Sequence, residues 1–157
     1  MEEEHSTPAE FQDHPGVKPA GADEKLAVRL LSMSGNEKIK LALTGDAEAR
    51  RLLLRDSNRM VQMSVMQNPR LTESEIITIA NSRQTSDEIL RFIINNRDWY
   101  KLYAVRLALV KNPKTPFTLA FRMISSLASH DLKMLAKSKS ISPAVAQAAR
   151  RITTKNQ

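Results

Sequence analysis

The chain has no cysteine and only four glycines, Gly16, Gly21, Gly35 and Gly45. The first absence removes disulfides, thiol nucleophiles and thiolate metal sites from consideration. The second removes phosphate loops and dinucleotide turns, in which closely spaced glycines let the backbone approach a phosphate. No apolar run reaches the roughly 18 residues that read as a membrane span. The opening MEEEHSTPAE is acidic where a secretory signal is basic and then apolar. The expectation is a soluble, non-exported, cytoplasmic protein with no membrane insertion. Strand signals are scarce as well. After Glu24 no segment alternates strictly for long, and no Asn-Gly or Asp-Gly hairpin occurs.

Acid is what the second half lacks. From Lys101 onward, eleven Lys or Arg stand against Asp131 alone. Residues 1 to 24 are the reverse: seven acids against Lys18 give −6, so with +7 on the whole chain residues 25 to 157 carry +13. Such a field attracts polyanions or acidic protein surfaces and says nothing about fold. Pro8, Pro15, Pro19, Gly16 and Gly21 also fall in the acidic stretch, where apolar residues are few. Too little surface can be buried there to offset the entropy of ordering. A disordered acidic tail over 1–23 and a short disordered C-terminus over 154–157 are therefore expected. Between them, 24–153 forms one domain; a chain of 157 residues that is 41% hydrophobic suffices for one core.

Helix punctuation is dense. Thr72 with Glu75 makes a capping box, and Thr85 with Glu88 has the same spacing. Thr115-Pro116 and Ser142-Pro143 place a cap before a proline, and Asp46 can cap the run that follows it. Apolar spacing agrees: Leu102, Val105 and Leu109, then Ala120, Ile124 and Leu127, then Val145, Ala149 and Ile152, each trace one helical face. About ten short helices are predicted, near 25–33, 37–44, 47–55, 59–67, 73–82, 87–95, 99–111, 116–128, 131–138 and 143–153.

The chain also repeats itself. IKLALTGD at 39–46, VQMSVMQN at 61–68 and VRLALVKN at 105–112 align Ile39, Val61 and Val105, then Leu43, Val65 and Leu109, with small Ala42, Ser64 and Ala108 in one column. RLLLRD at 51–56, RFIINN at 91–96 and KMLAKS at 133–138 form a second set, spaced 40 and 42 residues apart. "NPRLTESEI" at 68–76 and "NPKTPFTLA" at 112–120 lie 44 apart, and each Asn-Pro ends one helix and starts the next. Periods near these values belong to helical solenoids, whose units share a continuous core because none covers its own apolar face. NPKTP, an apolar helix and then DLKMLAKSKSISP resemble the leucine-rich repeat variant group of HEAT-like, armadillo-type solenoids over roughly 59–153. The pattern departs from that group where Gly45-Asp46 replaces Asn-Pro and where NPRLT lacks the second proline. The resemblance implies an all-α fold, a short right-handed solenoid, acting as a scaffold that presents a surface.

Catalytic constellations are missing. His5, His14 and His130 show no metal-ligand spacing, and neighbouring residues of SHD at 129–131 cannot form a triad relay. The acids Glu73, Glu75, Asp87 and Glu88 fall in predicted first turns, where carboxylates favour the positive helix end. No metal, no small-molecule cofactor and no enzymatic activity are expected.

Binding residues are easier to nominate. Alignment places Arg51, Arg91 and Lys133 in one column and Arg55, Asn95 and Lys137 in another one turn on. Arg106 belongs to a further row with Lys40 and Gln62, continued by Arg150 and Arg151. These rows read either as a solvated face or as an anion-binding stripe. In NNRDWYKLY, Arg97 and Lys101 flank Trp99 and Tyr100, which either fill the loop between repeats or anchor a partner. The expected function is a non-catalytic scaffold for another macromolecule, foremost a protein with an acidic surface. Nucleic acid bound through the same rows is the alternative. Asp98-Trp99 is similar, at fold level only, to the HEAT-like DNA glycosylases that pair a carboxylate with aromatics, a third and remoter reading.

Overall fold

The computed structural model describes residues 21–156. These residues form eleven helices and no strand: α1 (Ala22–Ser32), α2 (Gly35–Thr44), α3 (Ala47–Leu53), α4 (Arg59–Met66), α5 (Glu73–Asn81), α6 (Asp87–Asn95), α7 (Arg97–Tyr100), α8 (Tyr103–Lys111), α9 (Phe117–Ile124), α10 (Ser129–Lys137) and α11 (Pro143–Lys155). The all-helical expectation holds. The expected tail lies outside the described residues over 1–20, while its end differs from expectation because α1 already starts at Ala22. At the other terminus, Thr154 and Lys155 are helical rather than disordered. There the Thr153 and Thr154 hydroxyls donate back to the carbonyl of Arg150 at 2.9 Å each.

One predicted helix, 99–111, is two. The backbone leaves helical geometry at Leu102 (φ −74°, ψ 121°), separating the single turn α7 from α8. The Arg106 guanidinium holds that break by donating from one nitrogen to the carbonyls of Tyr100 at 2.9 Å and Lys101 at 2.8 Å. These carbonyls, left free where a helix stops, need such donors.

Several starts follow the sequence. Thr72 and Glu75 make the reciprocal capping box on α5, and Asp46 accepts from Ala49 N at 3.0 Å. Ser34 and Glu37 make a second box on α2. Three caps differ from expectation, and one is Ser142, which precedes Pro143 at the start of α11 but makes no side-chain capping hydrogen bond. Ser86, not Thr85, caps α6, and Thr85 is buried with its hydroxyl donating to Ile79 O at 2.7 Å. Pro116 occupies the cap position of α9, and the buried Thr115 Oγ1 has no hydrogen-bond partner within the protein.

Helices pack in three similar antecedent-successor pairs, α2 with α4, α5 with α8 and α9 with α11, and α10 lies along α11. The apolar columns of the second and third copies are the core, while Ile39 and Leu43 of the first are half-buried. Val61, Val65, Val105 and Leu109 are fully buried, and the small column Ala42, Ser64 and Ala108 is buried where helices approach. Leu53, Ile93 and Leu135, each the seventh residue of its helix, are buried likewise. Each buried aliphatic of this kind contributes about 1.5–3 kcal/mol relative to exposure.

Candidate macromolecule-binding surface

The rows nominated by alignment share a structural register. Arg51, Arg91 and Lys133 are each the fifth residue of their helix, on α3, α6 and α10, and all three are exposed. Asn95 and Lys137 end α6 and α10, and Arg55 lies just beyond α3; these too are exposed. Arg51 is paired with Glu48 three residues earlier, and Arg91 stands 4.0 Å from Asp87. Surface pairs of this type contribute at most about 1 kcal/mol and leave the cations available to a stronger acid.

Arg51 and Arg55 are brought together. Both line a cavity of about 540 Å³ walled by α3, α4, α5 and the start of α6, whose lining is otherwise uncharged and mostly polar, with Leu54, Ile79 and Ile89 as its apolar residues. No acidic residue lines it. Arg91 and Lys133 do not line that cavity, so the column is shared in register and not gathered into one pocket.

The aromatic cluster is mainly structural. Trp99 and Tyr100 are half-buried against the larger core cluster, and the Trp99 ring meets Phe92 at 6.0 Å and 56°. Arg97 opens α7, exposed, and Lys101 follows it, exposed and paired with Asp98 at 3.0 Å. Arg106 is turned inward: besides its two carbonyl contacts, its guanidinium carbon lies 5.7 Å from the Tyr103 ring centre. Its role is to hold the α7–α8 junction. Arg150 is exposed yet donates from one nitrogen to Ala136 O at 2.8 Å, tying α11 to α10. Arg151 is exposed and lines a separate groove between α9 and α11.

Sequence reasoning missed three contacts. The first is Arg50, 4% exposed, which donates to both oxygens of Glu75 at 2.8 and 2.9 Å and to Gly45 O at 2.9 Å. The signal was present: Arg50 is the fourth residue of α3, where α6 and α10 carry Leu90 and Leu132. Burial pushes the Glu75 carboxyl up, but hydrogen bonds from Arg50 and Thr72 together with the Arg50 charge outweigh it and hold the group below its ordinary 4.5. The second is the pair Asn68 and Asn112, each 3% exposed. Asn68 Nδ2 donates to Ala42 O and Gly45 O at 2.9 and 3.2 Å, and Asn112 Nδ2 to Ala80 O and Ser82 O at 2.8 and 2.9 Å. Their Oδ1 atoms accept from Arg70 N and Lys114 N at 2.9 Å. Each asparagine thus satisfies carbonyls at the end of the helix beneath while turning its own chain. The third is Tyr103, whose hydroxyl donates to Asp131 Oδ2 and accepts from Ala128 N at 3.0 Å.

Among the described residues no group of three or more His, Cys, Asp or Glu is placed to hold a metal, and no helix is long and apolar enough to cross a membrane. No protein-family model, no curated protein and no solved structure matches the chain.

Proposed function

We propose that the chain is a non-catalytic helical-repeat scaffold, stacked as a short right-handed solenoid of the HEAT-like, leucine-rich repeat variant kind, that binds a protein with an acidic surface. One observation carries this reading: Arg51, Arg91 and Lys133 occupy the same helical position on three helices, all exposed. Stacked units place such positions side by side, and a row of cations meets a row of carboxylates with steering and register. The like geometry of the Asn68 and Asn112 corners supports the stacking.

Acidic protein is favoured over nucleic acid by the aromatic cluster. Single-stranded nucleic acid is bound by aromatic faces on which bases stack. Trp99 and Tyr100 instead pack on the core, and Asp98 is held by Lys101. The same contacts lend the glycosylase reading no support.

The test is affinity capture from native lysate with and without nuclease, alongside Arg51→Glu/Arg91→Glu/Lys133→Glu. Proteins retained after nuclease and lost with the triple variant are the expected result. Since exposed substitutions usually change stability by less than about 0.5 kcal/mol each, circular dichroism of the variant should match the parent. Capture that disappears with nuclease, together with retention on duplex or single strands that falls steeply with salt, moves the assignment to nucleic acid.

A further inference from the structure

The groove between α9 and α11 presents two exposed phenylalanines. Phe117 and Phe121, one turn apart on α9 with ring centres 5.7 Å from each other, are 45% and 54% exposed. With Ala144, Ala148 and Ile152 of α11 they line a volume of about 430 Å³. Its rim carries Arg151 and Lys155, and no lining residue is acidic.

Comparison with the preceding helix pair shows that nothing in the fold demands this. Phe117 is the first residue of α9 and Glu73 the first of α5, each five residues after the asparagine of an Asn-Pro corner. At this place α5 shows solvent a carboxylate; α9 shows it a phenyl ring. On the facing helix, Val61, Val105 and Val145 are each followed seven residues later by Asn68, Asn112 and Ile152. The third copy has exchanged its clamp for an apolar side chain, and α11 runs on to Lys155. Two substitutions on facing helices, both toward apolar surface, at a rim of cations, describe a seat for an acidic segment with an aromatic anchor.

The chain supplies one. Residues 1–20, MEEEHSTPAEFQDHPGVKPA, hold five acids against Lys18 and a single aromatic, Phe11, with Glu10 before it and Asp13 two residues after. A second copy offering its own groove would meet like charge, because Asp131 is the only acid from Lys101 onward. Reach is set by Phe11: the ten residues from it to Gly21 span up to about 36 Å when extended, just over twice a radius of gyration of about 15 Å for a compact domain of this length. We propose that the chain's own acidic segment occupies this groove, with Phe11 set between Phe117, Phe121 and Ile152 and its acids facing Arg151 and Lys155. This site is separate from the α3, α6 and α10 row, and its failure would leave that assignment untouched.

Because the chain has no native cysteine, Gln12→Cys in the full-length protein takes a single nitroxide label. At low salt the amide signals of Phe121, Gln147 and Arg151 should lose more than half their intensity and regain it when Phe11→Ser is added. Phe11 lies outside the described residues, and circular dichroism of Phe11→Ser should match the parent. Phe117→Glu, which restores the choice made at Glu73, should have the same effect, and high salt should weaken the contact by screening. Mixing labelled chains with unlabelled, isotope-enriched ones separates insertion into the same molecule from insertion into a second copy. Both arms keep this segment as the occupant. Signals at α9 and α11 that ignore the label, or broadening that persists unchanged with Phe11→Ser, overturn the proposal.

Discussion

Arg50 grips Glu75 through two nearly parallel hydrogen bonds of 2.8 and 2.9 Å, so a buried guanidinium on α3 is neutralised by the carboxylate that also closes the capping box of α5. Breaking such a pair leaves the remaining charge without a partner, and with Glu75 partly open to solvent the cost of Arg50→Met should be about 2 kcal/mol. The pH dependence has a definite sign. Glu75 sits below its ordinary 4.5, so its contribution is present above that value and is lost as pH falls through the folded-state value. Urea unfolding between neutral pH and about pH 3 should show a steep acid loss for the parent and a shallower one for Glu75→Gln. Asp56, which burial raises but Lys38 and the Asn58 N–H lower further, supplies part of the remaining slope.

Asn112 makes three hydrogen bonds while almost wholly buried. Asn112→Ala strands the carbonyls of Ala80 and Ser82, and the expected loss is about 2 kcal/mol, since buried polar groups left without partners each cost about 1–3 kcal/mol. Asn112→Asp should lose more, because a carboxylate oxygen then faces two carbonyl oxygens. The same order, Asn above Ala above Asp, should hold at residue 68. Urea midpoints of the four variants check it; equal midpoints for Ala and Asp would show that the side chain does not donate.

Much of this was legible and some was not, for physical reasons. Apolar periodicity located the helices because burial of one face is what makes them form, and the columns Leu53, Ile93, Leu135 and Val61, Val105 are that face. Alignment also placed Arg51, Arg91 and Lys133 in a common register. Capping was less secure: Thr85-Ser86 offers two hydroxyls, and only packing decides that Thr85 turns inward. The break at Leu102 was hidden because Arg106, which enforces it, looks like any surface cation until its carbonyl partners are placed. Asn-Pro announced a corner, but not the donors that Asn68 and Asn112 send to carbonyls 26 and 32 residues earlier. The spacing of 44 residues marked the corners but not the partners of these side chains.

Gly45 and Gly35 make opposite predictions. A Cβ at Gly45 would stand 2.5 Å from Leu41 O and 2.8 Å from the Ala49 Cβ, although its φ of −70° suits any residue. The constraint is space, so Gly45→Ala should destabilise by about 1–3 kcal/mol, as overpacking does. At Gly35, the first residue of α2, the nearest atom to a new Cβ is 3.5 Å away. Gly35→Ala should be neutral or stabilise by up to about 1 kcal/mol through the unfolded chain. Thermal melts of the two variants, run side by side, should show a lowered midpoint for Gly45→Ala and an unchanged or raised one for Gly35→Ala.

Tyr103 joins α8 to α10 by its hydroxyl, which donates to Asp131 and accepts from the Ala128 N–H. Ionising the phenol removes the proton that Tyr103 donates to Asp131 and sets two anions together, and the hydrogen bond to Asp131 accordingly pushes Tyr103 above its ordinary 10.0. Ultraviolet titration should show an ionisation above that value that is absent from Tyr103→Phe and lowered in Asp131→Asn. The linkage follows: a folded-state value raised above the unfolded one gives stability that is complete below 10.0 and declines as pH rises through it. Tyr103→Phe should therefore be less stable than the parent at neutral pH and should lose less on alkalinisation. If Asp131→Asn left the ionisation where it was, the carboxylate could not be the acceptor, and the α8–α10 contact would rest on the Ala128 amide alone.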